Sequence, residues 1–262
     1  MSINIDAITR TYFYCDEPVP YKLKKGELKI TPVSVKNSEI FLYSVGLLTI
    51  DKNSLPDAKI IQMSYLQFIT QVLLVGEDGE KSNIPRFYNI LFLCLGLENP
   101  NIRWKNQRTP IIFDEGAGVE ITPKEFDEIK QLILHQNLPH YDDEYIDPDL
   151  KKAMDETDEA RNKDKESPSL ERKMAIITAH CGLPKREQLN MTLRSHSMLF
   201  EEIVGEVEFT TIRPVALFGG KSDKLDHWIF KKKKDRFDGY IQSVDSYAQS
   251  MGGDKSIKTS DT

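Results

Sequence analysis

The sequence predicts an α+β fold: N-terminal β-hairpins packed with helices, followed by a charged helical linker and a small, mainly helical C-terminal module. Three observations carry this. Short runs of alternating apolar and polar residues flank turn signals at 24–27 and 115–118. Between and after them, apolar residues recur at helical spacing. Residues 151–173 then carry seven acids and seven bases with almost no apolar residues, so a helix there buries little. The predicted division is an α+β domain over 1–146, a charged helix or linker over 147–168, a mainly helical module over 169–251 and a disordered tail over 252–262.

Taken in order, Pro18 and Pro20 favour an extended path. Lys24-Lys-Gly-Glu27 turns between two short runs, so a β-hairpin is predicted with its second strand over Glu27–Val35. Ser38 caps the apolar stretch "EIFLYSVGLLTI" as a buried helix. Residues 57–75 place Ile61, Tyr65, Phe68 and Val72 at helical spacing with no charge between them, which predicts one largely buried helix. The next helix starts near Pro85 and stops at Gly96. Three short strands are predicted at Ile102–Lys105, Ile111–Asp114 and Val119–Thr122, the last two joined as a hairpin. Thr122, Pro123 and Glu125 spell a capping box, and the helix they open faces Phe126, Ile129, Leu132 and Ile133 to the core. After the charged run, short helices are predicted around Gly182-Leu-Pro184, with a cap at Thr192. "EVEFTTIRPVALFGG" is expected to add a strand or extended connector, and a terminal helix is predicted after Trp228.

A net charge of −6 argues against a surface that binds nucleic acid throughout, while leaving room for a local basic patch. Three cysteines, widely spaced and without a CxxC pair, fit a reducing compartment. The N-terminus shows no signal-peptide pattern, and the most apolar stretch, 88–97, is too short to span a bilayer. A soluble intracellular protein is expected.

The densest cluster of candidate ligands is "HQNLPHYDDEYIDPDLKK", from His135 to Lys152. It fits no calcium-binding loop, because neither register from Asp143 or Asp147 has the required glycine. It fits no zinc pattern either, since His135 and His140 have no cysteine near them. The stretch reads better as a helix end, a polar turn and a new helix capped by Asp147 with Pro148 at its first position. Phosphate-loop lookalikes fail on spacing: "FGGKSD" would need a glycine where Val215 stands, and "GAGVEI" lies in a hairpin. His180 and Cys181 are chain neighbours on a helix, so their side chains diverge, and Cys181 is expected in the small core beside a helix-ending Gly182. Cys94, between two leucines, reads as core.

Residues 169–205 have the size of a helix-turn-helix, but its second helix offers only Arg194, Ser195 and His196 before turning apolar and acidic. Lys185 and Arg186 suit phosphate contact. A protein-binding helical module fits the charge better. The basic run is the sharpest charge feature. Trp228, Lys231, Lys232, Lys233, Lys234 and Arg236 are the candidate residues for contact with a partner or with nucleic acid.

"GELKITPVSVKNSEIFLYSVGLL", "DAKIIQMSYLQF", "EFDEIKQLILHQN", "EYIDPDL" and "LNMTLRSHSMLFEEIVGEV" together resemble small tail-assembly and baseplate-assembly proteins of tailed bacteriophages. The resemblance implies a short N-terminal hairpin before a helical body, and a non-enzymatic factor or chaperone of virion assembly. It implies other tail or baseplate proteins as partners, in the host cytoplasm or in the finished particle. It carries over no functional residues. No catalytic residue, metal or cofactor is expected. The alternative is a nucleic-acid-binding regulator using 184–196 and 228–236. A third reading is a metal-dependent enzyme using His140, Asp142, Asp143 and Glu144.

Overall fold

The computed structural model describes residues 4–55, 57–74, 83–106, 108–142, 146–163, 167–219 and 229. Helices and two small antiparallel sheets make the mixed fold that the sequence predicts.

Helix α1 (Ile5–Thr11) is capped by Asn4, whose carboxamide oxygen accepts the Ala7 N–H at 3.0 Å. Strands β1 (Val19–Lys22) and β2 (Glu27–Ile30) pair with Val19 opposite Ile30, both buried. The second strand ends at Ile30, short of the predicted Val35. Pro32 has no N–H for a ladder, and the Thr31 N–H turns to the Cys94 carbonyl at 2.8 Å. Gly26 makes this turn possible: its φ of +90° suits glycine, and a Cβ there would meet the Gly118 carbonyl oxygen at 2.9 Å.

Helix α2 (Ser38–Thr49) buries Phe41, Val45, Leu47 and Leu48. The predicted single helix over 57–75 is broken in two. Helix α3 (Ala58–Gln62) stops at Met63, and Ser64 opens α4 (Tyr65–Phe68) by exchanging hydrogen bonds with Gln67 before one π-helical turn over Ile69–Leu73. Helix α5 (Ile84–Leu95) ends at left-handed Gly96, as its sequence predicts.

Strands β3 (Asn101–Lys105), β4 (Thr109–Asp114) and β5 (Val119–Ile121) form the second sheet in that order. Helix α6 (Pro123–Asn137) follows with Phe126, Ile129, Leu132 and Ile133 all buried. Its Glu125 carboxylate accepts from the Thr122 N–H at 2.9 Å and the Lys24 N–H at 2.7 Å. Burial alone would raise the Glu125 pKa, but these bonds and the Thr122 hydroxyl outweigh it and hold the pKa below its usual value. Helix α6 packs on α1, α2, α4, β2 and β4, so its buried face organises the core.

Helix α7 (Pro148–Asn162) is capped by Asp147, which accepts from the Asp149 and Leu150 N–H groups, and most of its described side chains are exposed. Helices α8 (Leu170–Cys181), α9 (Lys185–Gln188) and α10 (Leu193–Phe218) complete the described order. The segment predicted as a strand or connector from Glu206 is helix as far as Phe218, with Pro214 inside it. The hydroxyls of Thr210 and Thr211 bond back to the carbonyls of Glu206 and Val207 at 2.9 and 2.8 Å, which suits these β-branched residues to a helix.

The chain forms two compact units. One unites residues 1–144 with 168–204, and the other contains 145–167 and 205–262. This differs from the sequence-based division, which separates 169–251 from the N-terminal domain. In the first unit, the Val35 N–H bonds Met191 at 2.8 Å, the Lys36 N–H bonds Leu189 at 3.0 Å, and the Leu193 N–H bonds Val33 at 2.8 Å. The predicted tail over 252–262 lies outside the described residues.

Candidate functional site

Within residues 184–196, the segment of the regulator reading, the side chains from Thr192 to His196 pack against the protein, while Lys185, Arg186 and Glu187 stay exposed. Asp16 sits in the left-handed region, with φ 58°. It accepts hydrogen bonds from the Thr192 hydroxyl at 2.5 Å and from the Ser195 hydroxyl at 2.7 Å. Thr192 also caps α10, accepting the Ser195 N–H at 3.1 Å. Arg194 donates to the His135 carbonyl at 2.8 Å, and its guanidinium lies 5.6 Å from the Phe13 ring centre. Partial burial lowers the Arg194 pKa against the pull of Tyr14 and Asp16.

His196 is 3% exposed, with Nε2 3.3 Å from the Gln188 Oε1. Burial, then the charge of Lys173, lowers its pKa. Gln188 is fully buried and donates to the carbonyls of Met174 and Leu183. The three side chains that a base-reading helix would present are thus committed to intramolecular contacts. Nearby, Lys185 reaches Glu171 at 3.5 Å, and Arg186 is exposed.

The histidine- and acid-rich stretch is divided in space. His135 lies in the last turn of α6 and meets the Tyr141 ring edge-on at 5.0 Å. His140 Nε2 lies 2.6 Å from Glu201 Oε1. Asp147 is occupied as a helix cap. Asp142 is exposed, and Asp143 and Glu144 lie outside the described residues. Among the described residues, no three His, Cys, Asp or Glu side chains gather as a metal ion would need.

All three cysteines are free. Cys94 is core, and burial pushes its thiol pKa up. Cys181 is exposed, which corrects its expected place in a small core. It sits at the end of α8, whose buried side is carried by Met174 and Ile177, and the last turn points its polar end to solvent. Trp228, Lys231, Lys232, Lys233, Lys234 and Arg236 lie outside the described residues. Their neighbour Ile229 is 62% exposed.

Two surface features lie outside the sequence motifs. The first is the later part of α10. Val207, Thr211, Pro214 and Phe218 follow one another at intervals of four, three and four, the spacing of a helix seam, and Val215 adjoins them. Val207, Val215 and Phe218 are 48%, 70% and 94% exposed, and Ile212 and Leu217 are also open to solvent. The 4-3-4 spacing was visible in the sequence, but Pro214 and the β-branched residues obscured it. The second is strand β3, where Arg103, Trp104 and Lys105 are all exposed. On α2, Ile40, Leu42 and Tyr43 also face solvent, with Arg86 of α5 stacked 4.8 Å from the Tyr43 ring centre.

Among the described residues, no helix is long and apolar enough to cross a membrane. Comparison with protein-family models, curated proteins and solved structures finds no match to this chain.

Proposed function

We propose that this protein is a non-enzymatic assembly factor that works by protein–protein contact, in the building of a bacteriophage tail or baseplate. The observation that carries the contact reading is the apolar surface of α10, where Val207, Ile212, Val215, Leu217 and Phe218 are all exposed within twelve residues. A soluble monomer gains nothing by showing water so dense an apolar surface, and such surfaces mark interaction sites. The tail or baseplate setting is supported by the sequence phrases that resemble assembly proteins. The partner is then another tail or baseplate protein, met in the host cytoplasm and covering the α10 surface.

Affinity purification of the tagged protein from infected cells tests this. The expected result is stable co-purification with a tail or baseplate component. The Val215→Asp, Phe218→Ser variant should retain its circular dichroism and lose that component. A phage lacking the gene and still making normal infectious tails would overturn the assembly role. Salt-sensitive binding of DNA or RNA, lost when Lys231–Lys234 become alanine, would favour the regulator instead.

A further inference from the structure

We infer that the outer edge of β3 is a docking site for an extended peptide segment that alternates acidic and apolar residues, added as a fourth strand to the β3–β4–β5 sheet. The inference rests on the protein-contact reading and gives it a second surface with its own chemistry.

Strand β3 is the outermost strand of its sheet, and among the described residues it pairs only with β4. The opposite edge is partly closed: the Glu120 N–H of β5 bonds the Lys25 carbonyl at 3.3 Å, and the Lys25 ammonium meets the Glu120 carboxylate at 2.6 Å. An edge strand turns every second N–H and C=O away from its neighbour. Here the parity follows from Pro110, which stands opposite Trp104 and has no N–H to give. Proline belongs at the non-bonded positions of a ladder, so Trp104, and Ile102 two residues before it, direct their backbone groups outward.

The side chains sort by the same period. Ile102 packs against the core and pairs with buried Ile112, and Trp104, 43% exposed, shares that face. Asn101, Arg103 and Lys105 occupy the other. Arg103 lies over the Phe113 ring at 3.9 Å. From Asn99 to Phe113 the sequence holds Arg103, Lys105 and Arg108 and no acid. The hairpin end is held in place: Gln67, part of the α4 capping box, donates to the Arg108 carbonyl at 2.9 Å. An edge whose cations and backbone are already positioned loses little freedom on binding.

Charge and geometry choose the occupant. A second copy of β3 would set Arg103 and Lys105 against their own kind. Nucleic acid cannot use an outward row of alternating N–H and C=O groups, and the net charge of −6 opposes it. An acidic strand satisfies both features by strand addition. Residues opposite Ile102 and Trp104 share their face and exchange their backbone bonds, so these are the apolar positions. The acids alternate with them, beside Arg103 and Lys105.

The probe is a fluorescein-labelled, amidated heptapeptide of alternating Glu and Val, followed by anisotropy with the full chain. Binding is expected, and should weaken about tenfold or more in the Arg103→Glu, Lys105→Glu variant, which removes both charged contacts and adds repulsion. N-methylation of the valines should abolish binding, whereas N-methylation of the glutamates should leave it intact. If both methylated peptides bind alike, attraction is by charge alone and strand addition is overturned. Absence of binding overturns it too, leaving the cations as guards of an exposed edge. So does a single-stranded oligonucleotide that displaces the peptide and binds more tightly. Trp104→Ala, a surface change, should weaken the peptide without altering the fold. The wider reading fails separately: if the Val215→Asp, Phe218→Ser variant still retains its co-purified partner, the α10 contact falls while peptide binding at β3 stands.

Discussion

Asp16 shows how much one side chain can organise. It holds a left-handed backbone, which aspartate tolerates better than most residues, and receives the hydroxyls of the α10 cap, Thr192, and of Ser195 in its first turn. Thr192→Val removes the Thr192 bond to Asp16 and the helix cap together. It should cost about 2 kcal/mol, measured by urea unfolding. His196 gives a residue-scale pH dependence. Its folded pKa lies below the ordinary 6.5, so the unfolded chain takes up the proton first. Stability is therefore full above 6.5 and falls as the pH drops below it, towards the folded pKa. His196→Gln should flatten that part of a stability-against-pH curve. If the curve is unchanged, the buried imidazole is not its source. The Asp16 bonds were not legible in the sequence, because Asp16 stands far from Thr192 and Ser195 in the chain. The local signals beside them, Thr192 as a cap and Gly182 as a helix end, were.

At the scale of elements, legibility followed how local the cause is. The Thr122–Glu125 box, Pro85, Gly96 and Asp147 place helix ends through neighbours within a turn, and each appears as predicted. The break at Ser64 uses the same chemistry but was hidden in an apolar run whose period persists across it. Helix α10 departs from its sequence pattern for the opposite reason. Val207, Thr210, Thr211 and Ile212 favour strands, and Pro214 breaks helices, yet hydroxyl-to-carbonyl bonds suit the threonines to helix. The carbonyl that Pro214 leaves without an N–H lies on an exposed turn and can take water. Pro214→Ala should therefore strengthen this part of α10 by about 3 kcal/mol locally. Amide exchange over 207–218 should slow, while the urea midpoint of the core, which this exposed turn does not build, stays where it is.

For the whole molecule, the main difference between sequence and structure is where the chain divides. A run of balanced charge at 151–173 marks a segment that buries little, and α7 is indeed mostly exposed. Charge patterning says nothing about whether the chain returns to the body it left. It does return: residues 168–204 belong to the same unit as 1–144, and Leu193 is part of that core. The bonds that hold it there are backbone pairs between 33–36 and 189–193 and the Asp16 clasp, all between residues far apart in sequence. Such long-range pairing leaves no periodic trace. A protease site inserted between Lys163 and Ser169 tests this. After cleavage, the two fragments should elute together on gel filtration and separate only in denaturant, because the cut severs a covalent connection and none of these contacts. Fragments that part under native conditions would mean that 169–204 is an independent module carried on a tether, as charge alone suggests.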